Sequence, residues 1–131
     1  AALKTSFADP SNSDELWARV FGSMLLRAMV DHPIGRRIVA EQLDLVQLLI
    51  AAIGNDVEHV AVRANLLDIV SNLLYDNPLD KGSMEDDLEQ VLASLLKNEQ
   101  LLEESPSLFD SLREVVKMRR WWQGHSMLWE P

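Results

Sequence analysis

With 131 residues, 47% of them hydrophobic and 25% charged, the chain has the length and composition of one globular domain. Its formal charge of −9 argues against a surface built for nucleic acid, which rewards basic faces. The absence of cysteine excludes disulfides and thiolate-held zinc and favours an intracellular location, cytoplasmic or nuclear.

Apolar runs are long, and Gly and Pro, five each, mostly punctuate them, which favours helices over a sandwich. No apolar run reaches the length of a membrane span, and Ala1-Ala2-Leu3-Lys4-Thr5-Ser6 lacks the layout of a secretory signal. The chain begins without Met and so reads as a piece of a longer protein. Residues 1–12 read as a polar leading segment, and residues 13–131 as a single helical domain.

In chain order, Ser13-Asp14-Glu15 opens a first helix, with Ser11 or Ser13 as cap. Val20, Phe21, Met24, Leu25, Ala28 and Met29 then recur at helical spacing as its apolar face, and His32-Pro33 ends it. A short helix over Ile34–Ala40 follows, then a longer one over Leu43–Ile53 that closes on Gly54-Asn55 as a left-handed cap. The segment from Val57 to Tyr75 is apolar over more than half its circumference and predicts a central helix contacted from several sides.

Asp76-Asn77-Pro78 breaks that helix. Residues 79–84 read as a flexible connection, with Gly82-Ser83-Met84 either a natural loop or a junction of two segments. A fifth helix spans Glu85–Leu96, its acids Glu85, Asp86 and Asp87 placed where the helix dipole favours them. Leu101-Leu102 make a short turn, and the last helix runs from Ser107 to Trp122, ended by Gly124. Met127, Leu128 and Trp129 beyond it are placed to fold over the tryptophans.

Sliding the chain by about 45 residues sets His32-Pro33 on Asn77-Pro78, Leu25 on Val70, Ala28 on Leu73, Leu43 on Leu88, Val46 on Val91 and Ile50 on Leu95. A second shift sets Leu67 on Leu112, Val70 on Val115 and Leu73 on Met118. The run from Arg27 through His32-Pro33 to Glu41 resembles an armadillo junction, where a long third helix ends near Asn-Pro and a short helix rich in Arg, Ile and Val follows. Leu43–Leu49 is similar to the family's second helix, and Asp56–Tyr75, with Ser71-Asn72-Leu73-Leu74, to its third. The resemblance covers residues 17–76 well and 84–122 loosely, and Leu79–Met84 stands where a first helix belongs. It implies an all-α, right-handed superhelix of about two to two and a half armadillo-like repeats, each burying its apolar face on the next. An irregular helical bundle is the alternative.

No catalytic signature emerges. His32, His59 and His125 are far apart, Gly35, Gly54 and Gly124 stand singly, and the acids at 85–89 lack the spacing of a calcium loop. No cofactor or metal is implied. In peptide-binding armadillo proteins an Asn near the end of the third helix lines the concave groove, which the resemblance carries to Asn72. The repeat register puts Arg27 and Lys117 at the equivalent positions, a groove suited to an extended or helical segment carrying acids. Lys117, Arg119, Arg120, Trp121 and Trp122, with Trp129 beyond, combine the residue types enriched in protein hot spots. They serve as a binding site or as a seal on the last repeat.

The chain is therefore expected to be non-enzymatic, an interaction module that binds a protein or peptide, with neither nucleic acid nor membrane as partner. A homo-oligomerisation domain, or a non-catalytic region of an enzyme, is the alternative.

Overall fold

The structure, a computed structural model, describes residue 7, residues 15–79 and residues 83–129, with side chains to residue 123. Among the described residues the chain is all-helical. The helices are α1 (Leu16–Val30), α2 (Pro33–Glu41), α3 (Leu43–Ile53), α4 (Val60–Asp76), α5 (Met84–Lys97), α6 (Glu99–Glu104) and α7 (Pro106–Trp129).

Helix α4 occupies the centre. It packs most extensively on α7, then on α1 and α3, and also on α2. Val62, Leu66, Leu67, Ile69, Val70, Leu73 and Leu74 are accordingly buried around it. A helix surrounded in this way needs apolar residues on most of its surface, and the sequence supplies them. Helix α3 packs on α5, where Val46 and Ile50 join Leu88, Leu92 and Leu95 in the core.

The first helix buries a different face from the one its periodicity predicts. Phe21, Met24, Leu25 and Met29 are exposed, whereas Leu26 and Val30 are buried together with Arg19, Gly22 and Ser23. Both faces of α1 carry apolar residues, and the buried one is also joined to α4 by polar pairs. Asn65 donates to Ser23 Oγ at 3.1 Å, and its Oδ1 accepts from Arg27 at 3.1 Å.

The turn between α3 and α4 delays the central helix to Val60. Asn55 Oδ1 accepts from the Val57 amide at 2.9 Å, and His59 Nδ1 accepts from Ala61 N at 3.1 Å as the N-cap. Glu58 is buried and paired with Arg19 at 2.8 Å. Arg63, also buried, donates to the Ile53 carbonyl at 2.7 Å and lies 3.8 Å from Asp56. Burial holds the Arg63 guanidinium below its usual pKa, against the raising pull of Asp56 and Glu58.

Two glycines sit where packing is close. Gly54 keeps a right-handed conformation (φ −80°) rather than the expected left-handed cap, and a Cβ there would lie 2.8 Å from Val91 Cγ2 on α5. At Gly35 a Cβ would collide with the Met29 carbonyl of α1, so only glycine lets α2 fold this tightly against the helix before it. Arg36 secures the same corner by donating to the Val30 and Asp31 carbonyls at 3.1 and 3.2 Å and pairing with Asp76.

Residues 80–82 of the expected flexible connection lie outside the described residues, as do the expected caps Ser11 and Ser13. The flanks of the connection are anchored. Leu79 is buried despite a left-handed φ of 54°, with its amide donating to Asn77 Oδ1, and Met84 is buried as the first residue of α5. Gly124 does not end the last helix, because α7 continues through it to Trp129. A lone glycine costs a helix only about 1 kcal/mol, and no proline follows until Pro131. The side chains of Met127, Leu128 and Trp129, expected to fold over the tryptophans, lie outside the described residues.

Candidate functional site

Helix α4 shows a polar stripe at Asn65, Asp68, Asn72 and Tyr75, whose spacings of three and four residues place them on one face. Helix α1 meets the stripe at Asn65 and Asp68, and α7 residues lie beside Tyr75. Arg27 is engaged on the α1 side, 3.4 Å from Asp68 Oδ2 as well as bonded to Asn65. Asn72 is half-buried, and its side-chain nitrogen donates to the Asp68 carbonyl at 3.0 Å. Asp68 thus links Arg27 and Asn72 within the fold. Asn65, two turns before Asn72, is the asparagine that spans two helices, and the repeat register carries no signal for it.

On the α7 side, Lys117 lines a cavity of 450 Å³ with Tyr75, Met118 and Trp121. Tyr75 is 65% exposed and Trp121 50% exposed. Tyr75 lies three residues beyond Asn72, a spacing legible in the sequence that puts the two on one face of α4. Arg36 sits 5.4 Å above the Tyr75 ring and helps to hold it.

The two adjacent tryptophans take different roles. Their rings meet edge to face with centroids 4.8 Å apart. Trp122 turns inward, packs on the core and donates its indole N–H to the Leu74 carbonyl. Trp121 stays half in solvent beside Lys117. Arg119 is largely covered and lies 3.8 Å from Glu85, tying α7 to the start of α5. Arg120 is exposed beside Lys117 on a second cavity of 450 Å³, which Leu96, Phe109 and Arg113 also line. The side chain of Trp129 lies outside the described residues.

The structure therefore links Arg27 to Asn72 through Asp68, and separately groups Lys117 and Trp121 with Tyr75 around one cavity. Arg119 and Trp122 have structural contacts. Tyr75, Phe109 and Leu96 were missed because periodicity assigns large apolar residues to the core.

Among the described residues no three acids or histidines converge to hold a metal, and no helix is long and apolar enough to cross a membrane. What the site offers is a half-open surface of aromatic, amide and cationic groups, suited to non-covalent recognition. Comparisons of the chain with protein families, characterised proteins and solved structures find no match in any of the three.

Proposed function

We propose that the chain is a protein-binding module, without chemistry of its own, built of armadillo-like repeats. The packing supports the repeat reading. Helices related by the shift of about 45 residues lie side by side, α1 on α4, α4 on α7 and α3 on α5. In this reading α2, α3 and α4 form one complete repeat. Helices α5 and α7 form a second that lacks its first helix, and α1 is the third helix of a preceding unit. Stacked α1, α4 and α7 line the concave side of a right-handed superhelix.

The observation that carries the binding reading is the pair Tyr75 and Trp121, both at least half exposed and lining one cavity with Lys117. Tyrosine, tryptophan and cations are the groups that dominate protein hot spots, and rings left half in water gain most from being covered. A partner segment carrying acids would pair with Lys117 while its apolar groups cover the rings.

Affinity capture with the wild type and a Lys117→Glu, Trp121→Ala variant tests this. A bound protein should lose about 2 kcal/mol or more of binding on the double substitution. The melting temperature should fall only slightly, because Lys117 is exposed and Trp121, half exposed, gives up its edge contact with Trp122. Equal capture by the two proteins would overturn the reading.

One observation favours a second reading, self-association. Trp17, Phe21, Met24 and Leu25 form an exposed apolar stripe on α1, with the first two rings stacked at 5.8 Å. Such a stripe marks an interaction surface. If it pairs copies of the chain, light scattering should give a mass that rises with concentration, and Phe21→Lys should return it to that of the monomer. A wild type that stays monomeric at high concentration removes this reading.

A further inference from the structure

A second surface differs in character from the one just described. Where the end of α5, α6 and the outer side of α7 meet, two cavities of 480 and 450 Å³ adjoin and share Leu96 and Phe109 in their walls. Leu102, Leu112 and Val116 extend this apolar floor to either side. Leu96 is 49% exposed and Phe109 37%, so the wall the two cavities share is apolar and open to solvent.

The charges along the groove are divided. Glu99, Glu103 and Asp110 border the first cavity, and Arg113, Lys117 and Arg120 the second, with Glu114 as its one acid. The three cations lie at intervals of four and three residues and so form a stripe along α7. The chain carries 21 acids against 12 Lys and Arg, and Arg19, Arg27, Arg36, Arg63 and Arg119 each have a carboxylate within 4.0 Å. Arg113, Lys117 and Arg120 form no ion pair among the described residues. Arg113 instead lies over the Phe109 ring at 5.9 Å, at the boundary of the two halves. In so acidic a molecule, a row of unneutralised cations beside an apolar trough is an arrangement that a partner would complete.

We propose that this groove binds an amphipathic helix of a partner protein, with an apolar stripe, basic residues at one end and acidic residues at the other. The occupant is helical because the groove walls are helices whose backbone groups are already bonded internally. An extended strand would find no backbone partners there, whereas the apolar face of a helix needs none. The occupant is bipolar because the acidic half repels a uniformly acidic ligand, nucleic acid included, and the cationic half repels a uniformly basic one. From Pro106 to Arg120 the groove follows α7 for about 21 Å, room for a helix of about 14 residues. The site shares only Lys117 with the Tyr75–Trp121 surface, so the two can fail separately.

The test uses three dye-labelled helical peptides with one common leucine stripe and read by fluorescence anisotropy. One carries lysines at one end and glutamates at the other, the second only glutamates, the third only lysines. The wild-type protein should bind the bipolar peptide at least about tenfold more tightly than either of the others. Arg113→Glu with Arg120→Glu, leaving Lys117 in place, should transfer the preference to the all-lysine peptide. Phe109→Asp should remove binding of all three while the helical circular dichroism persists at the assay temperature, with a lower melting temperature because the ring is mostly covered. Equal affinity for the three peptides, no measurable binding, or binding that survives Phe109→Asp would each overturn the proposal. So would sedimentation showing a wild-type dimer that Phe109→Asp dissolves, since the occupant would then be a second copy.

Discussion

Glu58→Ala should lower the free energy of unfolding by about 3–5 kcal/mol, the cost of removing one partner from a buried ion pair. The Arg19 and Glu58 side chains are 2% and 0% exposed and 2.8 Å apart. Truncating Glu58 leaves the Arg19 guanidinium in the interior without its carboxylate. It also removes a charge that favours the ionised form of Arg63, and the acceptor of the His59 amide. The loss thus comes more from a buried charge deprived of its carboxylate 2.8 Å away than from a single bond. Replacing both partners by apolar residues, Arg19→Met with Glu58→Leu, should recover part of the stability, while the losses at Arg63 and the His59 amide remain. Urea denaturation of the three proteins measures both effects. A single substitution costing less than about 1 kcal/mol would mean that water reaches the pair.

Leu66→Ala and Leu73→Ala should each cost about 2–5 kcal/mol, the range for deleting most of a buried leucine. Leu66 is 0% exposed and Leu73 1%. Both lie on the one helix that touches α1, α2, α3 and α7, so no neighbour can move into the space without leaving another. Leu25→Ala on α1, where the leucine is 68% exposed, should change stability by no more than about 0.5 kcal/mol. Thermal melts of these variants should separate clearly, and equal losses at Leu25 and Leu66 would contradict the central position of α4.

Leu25 occupies the same place in the repeat register as the buried Val70, and Ala28 the same as the buried Leu73. Periodicity reports which residues share a face of a helix, and it located α3 to the residue and α4 to within three at its start. It does not report what stands against that face. Helix α4 is covered on both sides and α1 on one, so equivalent residues end up in core and in solvent.

The candidate site divides in the same way. That Asn72, Lys117 and the adjoining tryptophans form an unusual set was legible in the residue types and their spacing. So was the requirement that Trp121 and Trp122, about 100° apart on a helix, face different surroundings. Which of them turns inward depended on a carbonyl acceptor at Leu74, 48 residues away in the chain.

The amino-acid sequence by itself determined the helices, their order and the central place of α4, because these follow from local propensity and from apolar residues at helical spacing. Only the tertiary structure decided which face of α1 is buried, why Gly35 and Gly54 are glycine, and where Arg19, Glu58 and Arg63 sit. It likewise decided that Leu96 and Phe109 remain open between opposite charges. Each of these depends on an atom from another helix, and no local pattern in a sequence encodes that distance.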